Sequence, residues 1–100
     1  MERSTFPTQN RNRKGRVMTL FMDVHTMGSS VSLDNVAQAH AADLRHQGEH
    51  GVNYLRYWVD EARGKIFCLV EAPNPDAAAL VHRQAHGLVA DEIYAVSEGI

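Results

Sequence analysis

One hundred residues, 44% of them hydrophobic, make a single small domain whose core is marginal enough that a second copy is expected to help bury it. Charge is segregated: residues 1–17 carry five basic side chains against Glu2, whereas residues 18–100 carry five basic against eleven acidic ones. All six histidines lie in that acidic body, which favours a cation as partner and argues against nucleic acid, and no apolar run approaches the roughly 18 residues of a membrane span.

Residues 1–17 have neither a signal-like apolar core nor an alternating pattern, so they read as a disordered basic N-terminal extension to a domain over 18–100, with Met18 a credible start. The apolar run at 20–25 predicts a strand. After the Gly and Ser cluster at 27–32, Ser30 or Ser32 caps a helix that begins at Leu33, with Asp34 at its positive end and Val36, His40 and Leu44 forming the inward stripe. Gly48 and Gly51 end that helix. Residues 52–60 and 65–71, rich in aromatic and β-branched side chains, are two strands joined by a turn at 61–64. Asn74, Pro75 and Asp76 open a second helix that runs to His86 and stops at Gly87, and residues 92–96 form a last strand.

The order βαββαβ is an α+β, ferredoxin-like arrangement: an antiparallel sheet with two helices on one face. Both faces of the sheet are apolar, with Ile66, Cys68 and Val70 on one and Phe67 and Leu69 on the other. Two helices cover one face, so the other is expected to meet a second copy in a homodimer. Cys68, the single cysteine, cannot form an internal disulfide and reads as a buried, reduced thiol of a cytoplasmic protein.

His46 with His50, and His82 with His86, stand four apart, and two imidazoles on one helical face can share a transition-metal ion. In this topology the end of strand one and the end of helix two meet at one edge, which groups His25, flanked by Asp23 on the same strand face, with His82 and His86. The opposite edge gathers His46, Glu49 and His50 near Glu71. Imidazole suits Ni2+, Cu2+, Zn2+ and Co2+ alike. It binds only when neutral, so affinity is expected to fall as pH drops through about 6.5.

Three blocks carry a likeness: 21–25 (FMDVH), 39–44 (AHAADL) and 48–58 (GEHGVNYLRYW), with 68–73 (CLVEAP) and 81–88 (VHRQAHGL) completing the pattern. Over residues 18–100 the chain resembles a small bacterial nickel-binding family with a ferredoxin-like fold. The resemblance implies a dimer that binds nickel near its surface and sequesters it. The competing reading is a small oxygenase, isomerase or ligand binder, with a pocket between helices and sheet lined by His40, Tyr57 and Glu71 and with His82 at its mouth. No nucleophile with a neighbouring base and no glycine-rich phosphate loop is visible in the sequence.

Overall fold

The computed structural model describes residues 10–13 and 16–100. The elements are β1 (Asn10–Arg13), β2 (Arg16–Thr26), α1 (Leu33–His46), a 3-10 turn (Gln47–His50), β3 (Asn53–Asp60), β4 (Lys65–Ala72), α2 (Pro75–Ala85) and β5 (Glu92–Ala95). The four principal strands stand in the order β5-β2-β4-β3, every neighbour antiparallel, which is the ferredoxin-like sheet. Asn10–Arg13 adds a short strand against the start of β2. It falls in the stretch read as an extension, of which residues 1–9 and 14–15 lie outside the described residues.

Local chemistry sets the helix ends. Ser32 caps α1 by accepting from the Asn35 N–H at 3.0 Å, and the Glu61 carboxylate accepts from Leu33 N–H at 2.7 Å, so two orphan donors of the first turn are satisfied. Asn74 caps α2 by accepting from Ala77 N–H at 2.9 Å, with Pro75 at the first helical position. At the far end of α1 the chain tightens into the 3-10 turn through Gly48, and Gly51 takes the left-handed conformation that releases it into β3.

Both helices pack on one face of the sheet, where Val36, Ala78 and Val81 meet Phe21, Tyr54, Ile66, Cys68, Val70 and Ala72. Strand alternation gives β2 two faces: Phe21, Asp23 and His25 point to the helices, and Met18, Leu20, Met22 and Val24 point away. A register shift between Tyr54 and Arg56 breaks that alternation in β3. Because Leu55 is the extra residue, Tyr54 stands opposite Val70 and Tyr57 opposite Cys68, and both tyrosines face the helices. On the outer face Met18, Leu20 and Val24 are already buried within the chain, while Trp58 and Tyr94 remain about half exposed.

α1 is rotated from the expected stripe. Leu44 is 45% exposed, and the face turned inward runs through Val36, His40 and Asp43, with Asp43 only 2% exposed. The apolar residue lost to solvent and the carboxylate taken into the core are adjacent in sequence, so one helical step separates the two readings.

The 27–32 loop is tied to the 61–64 turn by Met27 N–H to the Gly64 carbonyl at 2.9 Å and Val31 N–H to the Glu61 carbonyl at 3.1 Å. Gly64 adopts φ +68°, and a Cβ there would overlap the Ser29 carbonyl oxygen. Gly64→Ala should therefore cost at least about 2 kcal/mol in urea unfolding, because strain and a backbone clash act together. Gly28→Ala is the control, since Gly28 also has a positive φ but open space around it. Equal losses in the two variants would show that the close approach to Ser29 carries no energy.

Candidate metal centre

A buried polar cluster lies where β2, β4, α1 and α2 converge. Asp23 and His25 come from the helix-facing side of β2, Cys68 sits opposite Asp23 on β4, Asp43 comes from α1, His82 from α2 and His86 from the cap at its C-terminus. Asp23 and His82 are each 1% exposed and His25 is 4% exposed. The expectation of surface histidines is therefore corrected: neither His25 nor His82 is a solvated residue, because the strand and helix faces that carry them are the ones that form the core.

His82 is the hub. Its Nε2 lies 2.9 Å from Asp23 Oδ2 and its Nδ1 2.9 Å from Asp43 Oδ1, so both ring nitrogens donate and the ring is an imidazolium between two carboxylates. Burial by itself would lower the His82 pKa, but the hydrogen bonds and charges of Asp23 and Asp43 outweigh it and push the group up to about 9. Burial likewise opposes ionisation of Asp23, and the imidazoles of His25 and His82 beside it reverse that and hold its carboxyl well below the usual range. Asp43 is lowered in the same way, by His82 and His86.

The surrounding groups orient this hub. Tyr54 Oη donates to Asp23 Oδ2 at 2.8 Å and lies 3.2 Å from the Ala78 carbonyl, and burial together with the Asp23 charge keeps the phenol protonated. The backbone N–H of Leu88 donates to His86 Nδ1 at 3.1 Å. That leaves the proton of neutral His86 on Nε2, which faces Asp43 Oδ1 at 3.1 Å. The Cys68 thiol is pushed up by burial and by the Asp23 charge. His25 Nε2 stands 3.3 Å from His82 Nε2 and 3.3 Å from Asp23 Oδ1. Oδ1 itself has no hydrogen-bond partner among the described residues, although it is buried.

The donor atoms of Asp23, His25, Cys68 and His82 all lie within 4.8 Å of one another, and those of Asp43, His82 and His86 form a second such group. The histidines of the opposite edge each have hydrogen-bond partners away from one another. His46 Nδ1 donates back to the Ala42 carbonyl at 3.0 Å, His50 Nε2 donates across to Gln84 Oε1 at 2.8 Å, and Glu49 is exposed. The 3-10 turn through Gly48 separates them, so four-residue spacing there does not place two rings on one helical face. Glu71 accepts from Asn53 Nδ2 at 3.3 Å on the outer side of the sheet, away from the pocket it was expected to line.

A cavity of about 850 Å3 opens above the cluster, with His25, Cys68 and His82 among its lining and the 27–32 loop and α1 as walls. His40 borders it with its ring 4.7 Å from that of Tyr57. Burial lowers the His40 pKa, opposed by the Asp43 charge and aided by that of His82. Asp43, Tyr54 and Cys68 were not read as site residues from the sequence. For Asp43 the available signal was its position three after His40, on the same helical face.

Residues 21–96 match the model of the family described as nickel responsive protein SCO4226-like. The chain is also similar to a solved structure, "Crystal structure analysis of SCO4226 from Streptomyces coelicolor A3(2)". The two share 39% identity and a TM-score of 0.76, over 82% of this chain and 100% of that one. No curated protein matches the chain.

The bridging imidazolium sets a pH signature. A histidine raised from about 6.5 to about 9 contributes stability that is full below about pH 6.5 and is lost as pH rises through 9. The lowered Asp23 and Asp43 contribute stability that is present above about pH 4 and lost below it. Urea unfolding of metal-free protein should therefore lose a few kcal/mol between about pH 6 and pH 10, with a much flatter profile in His82→Gln. A flat wild-type profile over that range would show that His82 does not bridge the two carboxylates as a cation.

Proposed function

The chain belongs to the SCO4226-like family of nickel-responsive proteins, and from that premise we propose that it binds nickel at the buried cluster of Asp23, His25 and His82. The observation that carries this reading is the spacing of the donor atoms. Ligand atoms held about 2.0–2.1 Å from a common ion stand roughly 2.8–3.4 Å apart, from octahedral to tetrahedral angles. Here Asp23 Oδ2 and His82 Nε2 are 2.9 Å apart, the two Nε2 atoms of His25 and His82 3.3 Å, and His25 Nε2 and Asp23 Oδ1 3.3 Å.

Two further features fit an ion. Asp23 Oδ1 is a buried carboxylate oxygen with no hydrogen bond, a cost that a cation would remove. With Nε2 of His82 directed at the ion, its Nδ1–H still donates to Asp43, the carboxylate-to-histidine support that fixes a metal-binding ring. Cys68 stands beside these donors as a protonated thiol, available to a soft ion only on losing its proton. Zn2+, Co2+ and Cu2+ suit the same donors, so the choice of nickel comes from the family and not from the ligands.

The role that follows is sequestration: a non-enzymatic protein that takes nickel as cargo and withholds it from other ligands, in the cytoplasm, where a free thiol such as Cys68 persists. The outer face of the sheet, with Trp58 and Tyr94 about half exposed, supports a homodimer through that face. Trp58→Glu should then halve the particle mass in sedimentation without changing nickel affinity; an unchanged mass would reject this dimer. Among the described residues no helix is long and apolar enough to cross a membrane.

Calorimetric titration with Ni2+ tests the site. His25→Ala should weaken binding by more than the about 10–100-fold expected of the supporting change Asp43→Asn. The His46→Ala/His50→Ala double variant should bind as wild type. Because His82 must give up its Nε2 proton, about one proton should be released per ion near neutral pH. Affinity should keep rising until pH reaches about 9 instead of levelling off above 6.5. Undiminished binding by His25→Ala would place the ion elsewhere.

A further inference from the structure

Two of the metal donors, His25 and His82, form the floor of a chamber that holding an ion does not require. The cavity of about 850 Å3 is lined at its base by His25, Cys68 and His82, so an ion held there faces the chamber. Its volume is that of an organic-ligand pocket, within the range of about 300–1,000 Å3. The walls are mostly apolar: Val31 and Val36 on the side of the 27–32 loop and α1, and Ile66 from β4. At one side the His40 and Tyr57 rings, 4.7 Å apart, present flat aromatic surface.

We propose that this chamber binds a small aromatic carboxylic acid, its carboxylate reaching the metal ion and its ring lying between the apolar wall and the His40–Tyr57 pair. The inference rests on the metal site proposed above. Charge decides the class of ligand. Without the ion the cluster holds the carboxylates of Asp23 and Asp43 against the single imidazolium of His82, a net negative charge that disfavours an organic anion. A divalent ion that displaces the His82 proton brings that net charge to zero and supplies a Lewis-acidic anchor whose free positions an oxygen donor can take. Acid binding is therefore coupled to metal, and by linkage the acid must tighten nickel by the same factor as nickel tightens the acid.

The experiment uses the full chain, nickel-loaded or treated with EDTA, titrated by calorimetry with benzoate, phenylacetate and 1-naphthoate, and with 1-naphthylmethanol as the uncharged analogue. At least one acid should bind the loaded protein about tenfold or more tightly than the metal-free protein. Its presence should raise nickel affinity equally, and the alcohol should bind at least about tenfold more weakly than 1-naphthoate. Ala39→Trp, which fills the chamber from α1, should keep nickel affinity and lose the acid. Nickel binding by the variant also reports that it is folded, and Val31→Trp from the loop replaces it if it is not.

If nickel binds and none of the acids gives heat at millimolar concentration, the inference fails while the metal site stands. Failure of nickel itself to bind removes both. Equal acid affinity with and without metal, or acid binding undiminished by a filled chamber, also overturns it.

Discussion

An imidazolium held between two carboxylates in the core is the constraint on which the rest of this structure depends. Asp23 on β2, His82 on α2 and Asp43 on α1 are each almost fully buried, and each would be costly alone. Together they satisfy one another at 2.9 Å on both sides of the ring. The bridge crosses three elements, so it fixes the distance of both helices from the sheet and the rotation of α1 about its axis. That rotation is why Asp43 is inside and Leu44 outside, against the ranking that hydrophobicity alone would give.

The same arrangement explains how a nonpolar core can be ready for a cation. A buried network must be fully paired or it destabilises the fold. In the metal-free protein a proton on His82 does the pairing, with Tyr54 and His86 as supporting donors. A divalent ion can replace that proton without rebuilding the network, because the donor atoms are already spaced like neighbours in a coordination shell and Asp43 retains its bond to the ring. The bulge at Leu55 contributes by turning Tyr54 toward Asp23 and Tyr57 toward the chamber on the same face, which an unbroken strand would forbid.

Much of this architecture was legible in the chain. The caps at Ser32 and Asn74, the stop at Gly51, the order of elements and the edge shared by His25, His82 and His86 follow from local chemistry and from the alternation of strand direction. For His46 and His50, spacing of four implies a shared face only while the helix persists, and Gly48 lies in a 3-10 turn between them. Glu71 misled because strand parity, not proximity in a topology diagram, decides which side of a sheet a residue occupies.

Apart from the family, which the resemblance of whole blocks carries, the sequence by itself determined the fold class, the helix and strand boundaries within residues 18–100 to within a few residues, though not the strand Asn10–Arg13, and the acidic, histidine-rich character of the body. These rest on periodicity, capping and composition, which act over a few residues and need no knowledge of distant neighbours. Only the tertiary structure decided that His25 and His82 are buried, that Asp43 and Tyr54 belong to the cluster, and that a chamber stands over it. Those properties depend on the phase of α1 and on a one-residue bulge in β3. Both are settled by how distant elements satisfy each other's charges and volumes, and no local pattern encodes them.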